Sequence, residues 1–399
     1  MWVDQQYHLS YCTNIHPGNN WTETLAHLKE NLPKIKGRLS PEKPFGIGLR
    51  LSNKASEELG EVSLAEFKEW LQKEGLYVFT INGFPYGNFH GEKVKEQVHH
   101  PDWTSKERLE YTQRLAVQLA QLLPELEDGG ISTSPIGYKH MYPGERRIEA
   151  LVKGSAQLAT LAVFLHELEK DTGKLIHIDI EPEPDGLLEN SKEFHEFYED
   201  YLIPAARKEF GNTQNKPSYK AEELLKRYIT LCYDVCHFSL AYEQPDEVFS
   251  KMERAGIRIG KIQISAALKA QSSGSDNEEI WKALSKFDEP VYLHQVTESR
   301  DGVVITYSDL PDLLKERPGF TELRAHFHVP IFLDTFGVLQ STQEDIIQVL
   351  DYIKRKPVST HLEVETYTWE ALPAHLKEPM ADSISRELEW VLQKLDSDE

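Results

Sequence analysis

Cysteine and methionine are scarce, with three and four residues in a chain of 399. The three thiols, Cys12, Cys232 and Cys236, make no disulfide framework, so a reducing, cytoplasmic setting is expected. No uninterrupted run of about 18 apolar residues is present to cross a bilayer as a helix. The opening Trp2-Val3-Asp4-Gln5-Gln6 lacks the basic-then-apolar order of a secretion signal, and none is expected. Positive charge is also short: 44 Lys and Arg against 65 Asp and Glu leave a formal net charge of −21. Phosphate backbones and anionic membrane surfaces attract clustered Lys and Arg, so nucleic acid is not an expected partner. A phosphate-binding glycine loop is missing as well. Gly46-Ile47-Gly48 sits inside a strand-like run and does not extend to a dinucleotide fingerprint.

What is present is enough for a large core, with 40% hydrophobic and 10% aromatic residues. Strand-like runs fall at 7–14, 45–51, 76–82, 130–135, 175–182, 229–235, 257–266 and 359–367. Between them lie amphipathic stretches. Leu109, Thr112, Ala116, Leu119 and Leu123 share one helix face, and Leu151, Ser155, Leu158, Ala162 and Leu165 share another. Further helices are expected at 193–209 and 343–353, and Ser63-Leu64-Ala65-Glu66 reads as a capping box. Eight strand–helix units predict one (β/α)8 TIM barrel over residues 1–399, whose C-terminal loops assemble the active site. An open doubly wound sheet is the competing architecture. The segment 268–332 breaks the alternation and predicts a β-containing insertion before the last strand, with strand-like runs at 291–298 and 323–332. Its His294, His326 and His328 make it a candidate lid.

Ionisable residues within apolar strands carry the functional signal, because burying them without a partner is costly. The run Ile176-His177-Ile178-Asp179-Ile180-Glu181 alternates, which turns His177, Asp179 and Glu181 to one side. Asp234-Val235-Cys236-His237 converges on one ligand if the strand ends near Val235 and the chain turns. Lys261, Gln263 and Ser265 share a face of the next strand, and His361, Glu363 and Glu365 a face of the last. Glu181, Asp234, Gln263 and Glu363 or Glu365 therefore offer oxygen ligands from successive strands, suited to Mn2+ or Mg2+; imidazole from His237, His294 or His328 shifts the preference toward Zn2+, Fe2+ or Co2+. Cys232 and Cys236 lack a Cys-x-x-Cys spacing and read as core thiols.

This constellation resembles the metal site of the xylose-isomerase-like TIM-barrel superfamily, which includes sugar isomerases, ketose epimerases and endonuclease IV. More closely, Tyr11-Cys12-Thr13-Asn14-Ile15-His16-Pro17-Gly18, Glu181-Pro182-Glu183-Pro184 and His361-Leu362-Glu363-Val364-Glu365-Thr366-Tyr367-Thr368-Trp369 resemble the eboE-type metabolite-traffic proteins. That resemblance implies a bacterial barrel that works on or handles a small secondary-metabolite precursor beside a membrane prenyltransferase-like partner. The sequence departs from the sugar-isomerase pattern by placing Gln263 where those enzymes often use His, and by carrying the histidine-bearing insertion. The expected activity is metal-dependent isomerase or epimerase chemistry. Glu181, Glu365 and His237 are the expected catalytic residues, with His16, Asn82, Phe84, Tyr86 and Trp369 against the substrate. A non-catalytic metabolite carrier is the alternative, and a DNA-repair nuclease is disfavoured by the acidic charge.

Overall fold

The computed structural model describes residues 1–4, 6–87, 95–125, 127–272, 274, 277–366 and 379–396. Among them, eight parallel strands form one sheet: β1 (Tyr7–Tyr11), β2 (Phe45–Arg50), β3 (Leu76–Asn82), β4 (Gly129–Thr133), β5 (Ile176–Ile180), β6 (Ile229–Asp234), β7 (Ile259–Ile264) and β8 (His361–Val364). Neighbours in sequence are neighbours in space from β2 through β8, and β8 then pairs with β1. A parallel bridge between Cys12 and Gly48 links the β1 and β2 sides, so the sheet closes into the expected barrel. The short strand Trp2–Val3 adds to β1 antiparallel.

Nearly every barrel-strand residue is buried, because one face meets the surrounding helices and the other fills the interior. Gly48 shows how tight that interior is. A Cβ there would lie 1.8 Å from Glu363 Oε1 and 2.8 Å from the Tyr11 carbonyl, so only glycine lets β2 pass the Glu363 carboxylate. The Gly46-Ile47-Gly48 run thus serves close packing of the barrel wall.

The outer helices follow the apolar stripes. Leu109, Thr112, Ala116 and Leu119 are buried on the Lys106–Leu122 helix, and Leu151, Ser155, Leu158, Ala162 and Leu165 on the Glu145–Thr172 helix. By length and composition alone the second of these is apolar enough to cross a membrane, but half of its apolar window is buried within the fold. Two local expectations change. The helix at Glu61–Glu74 starts one turn before the proposed capping box, with Gly60 as its N-cap, and Ser63 Oγ donates back to the Glu58 and Gly60 carbonyls. The helix expected at 193–209 is Ser191–Phe197, a π-helical turn at Tyr198–Leu202, and Ile203–Gln214. Pro204 has no N–H to give the preceding turn, which accounts for the widening there.

The insertion is larger than the two expected runs. It forms a six-stranded antiparallel sheet in the order Val303–Tyr307, Val296–Arg300, Glu322–Val329, Ala266–Gln271, Leu339–Ser341, Thr335–Phe336. It therefore spans 266–341, beginning directly beyond β7. The Glu322–Val329 strand carries an irregularity: Ala325 faces Leu268 but Val329 faces Ala266, so four steps oppose two. The excess length displaces His326 and His328 from regular pairing, toward the C-terminal end of the barrel.

Candidate metal centre

The carboxylates at the barrel mouth sit where their strands end. Glu181 follows β5, Asp234 is the last residue of β6 and Glu365 follows β8. One oxygen from each falls within 4.8 Å of the others, and all three residues are buried. Asp234 also caps the short helix Val235–Leu240: its Oδ1 accepts from the His237 N–H at 3.0 Å and the Ser265 hydroxyl at 2.8 Å. That turn delivers His237 beside the carboxylates, as the Asp-x-x-His spacing required. Its Nδ1 lies 3.6 Å from Glu181 Oε1 and 3.1 Å from the Pro182 carbonyl.

The insertion completes the wall. His328 Nε2 stands 3.9 Å from Asp234 Oδ2 while its Nδ1 bonds the Glu365 carbonyl at 2.9 Å. His326 meets His237, Nε2 to Nε2, at 3.0 Å. On the barrel side, Asn14 and Asn82 each donate a side-chain N–H to Glu365 Oε1, at 2.6 and 2.9 Å, which fixes that carboxylate's direction. Phe84, His99, Glu183 and Tyr292 add to the walls of the cavity so formed.

The electrostatics are those of a site built for a cation. Burial pushes the Glu181 carboxyl well above the usual range, and the like charges of Glu365, Asp234 and Glu183 add to it. Glu365 is pushed up by burial and then by Asp234 and Glu363. Burial holds His237, His326 and His328 below the ordinary histidine value, so these imidazoles are neutral. Glu181 Oε2 and Asp234 Oδ2 are buried with no hydrogen-bond partner among the described residues. Such oxygens are costly unless something positive meets them, and three carboxylates with adjacent imidazole fit a divalent metal.

Thus Glu181, Asp234, Glu365, His237 and His328 come together, with Asn82 and Phe84 beside them. Several expected residues lie elsewhere. Glu363 is one layer deeper, where its Oε2 pairs with Lys261 Nζ at 2.9 Å, both side chains fully buried. Gln263 turns its amide oxygen to the Cys232 thiol at 3.0 Å. His294 stacks on Phe327 with 3.6 Å between ring centroids, and its nitrogens meet Glu289 at 2.6 Å and the His326 carbonyl at 2.8 Å. Since His294 does not share the mouth with His326 and His328, the ligand candidates that the insertion supplies among the described residues come from one strand. His16 bonds the Tyr11 hydroxyl at 2.8 Å, and Tyr86 packs edge-on against Tyr111. Trp369 lies outside the described residues. The three cysteines are buried and their thiols pushed up by that burial, in keeping with core packing.

Sequence reasoning missed the site roles of Asn14, His99 and Glu183. His99 Nε2 meets Glu183 Oε1 at 2.9 Å, and Glu183 Oε2 reaches to 4.0 Å from His237. The repeat Glu181-Pro182-Glu183-Pro184 was a usable signal for Glu183. His99, in the 3-10 turn Lys95–His99, had none, because only the fold brings that turn to the mouth.

Fold and site together define a class: a (β/α)8 barrel with an acid-rich, histidine-flanked candidate metal centre at its C-terminal mouth. No protein-family model and no curated protein matches the chain. Solved structures that resemble it include the IolI protein with a binding zinc atom, 14% identical over 97% of this chain and 98% of that one, with a TM-score of 0.48. Another is a D-psicose 3-epimerase determined in the presence of D-fructose, 11% identical over 98% and 100% of the two chains, TM-score 0.48. A third is a xylose isomerase domain-containing protein from Salmonella typhimurium LT2, 12% identical over 99% of each chain, TM-score 0.43.

Proposed function

We propose that the protein is a metal-dependent isomerase- or epimerase-like enzyme that moves a proton at a carbon beside a carbonyl in a small, hydroxyl-rich metabolite. One observation carries this reading: three buried carboxylates from three strand ends meet at the mouth beside neutral imidazoles, and Glu181 Oε2 and Asp234 Oδ2 have no hydrogen-bond partner among the described residues. Glu181, Asp234 and Glu365 would hold the metal, with His237 or His328 beside them. Bound there, a divalent ion polarises carbonyl and hydroxyl oxygens and makes the intervening C–H more acidic.

The chain's own groups do the remainder. Glu181 and Glu365 are the carboxylates that open into the cavity from the ends of β5 and β8, where each can take a proton from a bound substrate and return it. Asn14 and Asn82 keep Glu365 aimed at the cavity. Glu183, His99 and Gln295 present acceptors and donors that match substrate hydroxyls, while Phe84 and Tyr292 cover the cavity with apolar surface. The eboE-type role implied by the sequence, in which a metabolite is passed to a membrane partner, belongs to this proposal as the setting of the reaction.

The test is carbon-bound deuterium incorporation, followed by NMR, when ketoses and aldoses are incubated in D2O with the protein loaded with Mn2+, Zn2+ or Co2+. Metal-dependent exchange that disappears in Glu181→Gln supports the enzyme. Absence of metal binding overturns it. Metal and metabolite binding without exchange also overturns it, in favour of the non-catalytic carrier.

A further inference from the structure

The opposite end of the barrel carries a second cluster that the mouth chemistry does not use. His177 on β5, His361 on β8 and Asp128, which immediately precedes β4, place ligand atoms within 4.8 Å of one another. The two imidazoles are 1% and 0% exposed and the aspartate side chain 25%. His177 and His361 each precede the mouth carboxylate of their strand by four residues, which at about 3.3 Å per residue sets the two ends about 13 Å apart. The buried Lys261–Glu363 pair lies between them.

The spacing leaves room for one ion among the three side chains. Asp128 Oδ1 is 3.5 Å from His361 Nε2, and Oδ2 is 3.6 Å from His177 Nε2. These are long for hydrogen bonds. Ligands held at about 2.0–2.1 Å in a tetrahedron stand about 3.3 Å from each other. Neither His177 Nε2 nor either ring nitrogen of His361 has a hydrogen-bond partner among the described residues, although all three are buried. His177 is also oriented from behind: its Nδ1 meets Asp179 Oδ1 at 2.6 Å, and Thr230 donates to the same oxygen. A carboxylate bonded to Nδ1 fixes the tautomer that leaves Nε2 as a lone-pair donor, the support that metal-binding imidazoles receive.

Two glycines make room for this layer. A Cβ on Gly130 would lie 2.7 Å from His177 Cε1 and 3.0 Å from His361 Nδ1, and one on Gly260 would lie 1.9 Å from Asp179 Oδ1. Neighbouring groups are otherwise engaged. His8 is held by Tyr77 and Glu127 at 2.9 Å each, and Arg258 reaches Asp128 Oδ2 at 3.1 Å from the solvent side.

We propose that His177, His361 and Asp128 form a second divalent-cation site, of the zinc type, that ties β5, β8 and the entry to β4 together at the N-terminal end of the barrel. Two imidazoles and one carboxylate select a borderline ion over Mg2+ or Ca2+. The test uses the full chain with its mouth disabled, Glu181→Gln/Asp234→Asn, loaded with Zn2+, gel-filtered and assayed by mass spectrometry for bound metal. Retention of one Zn2+ per chain, and its loss on adding His361→Asn, is the expected result. Loading with Co2+ should give a visible absorption band that the same change abolishes. If His361→Asn does not fold, Asp128→Asn at the partly exposed ligand should produce the same loss. A folded mouth variant that retains no Zn2+, or equal retention after either added change, overturns the proposal. Wild-type chain holding a single Zn2+ that survives the mouth changes would instead refute the mouth centre, so the two failures are distinguishable.

Discussion

Replacing Glu181 by Gln should stabilise the metal-free protein and destroy its response to metal. Carboxylate oxygens of Glu181, Asp234 and Glu365 lie within 4.8 Å of one another. At an effective dielectric constant of about 20, two unit charges at that separation repel by about 3.5 kcal/mol, so Glu181 facing both neighbours meets about 7 kcal/mol. Taking up a proton is the alternative. At pH 8, protonating a carboxyl whose unfolded pKa is about 4.3 costs about 5 kcal/mol. The Gln variant avoids whichever is smaller, giving an expected gain of about 3–5 kcal/mol at pH 8 in chelator. The folded-state carboxyl is raised above its unfolded value, so its contribution is fully present in acid and is lost as pH rises. The gain from Gln should accordingly shrink to about 1 kcal/mol at pH 5 and vanish below about pH 4. With metal at 100 times its dissociation constant the wild type gains about 2.7 kcal/mol, and the variant should gain far less. Urea unfolding at pH 5 and pH 8, with chelator and with Mg2+, which the imidazole-rich cluster at the other end of the barrel does not select, measures all four quantities. A variant that is less stable than wild type in chelator at pH 8, or that responds to metal as wild type does, would refute the reasoning.

Three further outcomes are expected. Lys261→Met strands the buried Glu363 carboxylate and should cost about 3–5 kcal/mol in urea unfolding, with Lys261→Met/Glu363→Gln recovering most of it; no recovery would show that packing, not charge pairing, matters there. Asn82→Ala removes one of the two amides that aim Glu365 and should weaken metal binding about 10–100-fold in competition with a chelating dye, without a comparable loss of thermal stability. Glu387, buried with Thr366 as its hydrogen-bond donor, has its carboxyl raised to about 7, mainly by burial. Its contribution is present below about pH 4.5 and is lost as pH rises through about 7, so Glu387→Gln should add about 3 kcal/mol at pH 8 and nothing at pH 4.

The barrel was legible because its signal is local. Strand runs such as Ile176–Ile180 and Ile229–Asp234 announce themselves by residue type and alternation, and the period of two already turns His177 and Asp179 inward. Alternation gives a face but not a depth. It placed Glu363 and Glu365 on the same side of β8 and could not say that one meets Lys261 in the interior while the other reaches the mouth. Gln263 escaped for the same reason, since its partner, Cys232, is set by the register between β6 and β7. The insertion was visible only as a break in the pattern. Whether its histidines reach the site depends on the irregular pairing of Glu322–Val329, which no period in the sequence records.

The sequence by itself determined the fold class, the excess of acidic charge, and which carboxylates and imidazoles share one face of their strands, because propensity, periodicity and charge are properties of neighbouring residues. Tertiary structure alone decided which of them share a layer. Closing the barrel fixes the stagger of strands far apart in the chain, and that stagger brings Glu181, Asp234 and Glu365 together at one end and His177, His361 and Asp128 together at the other.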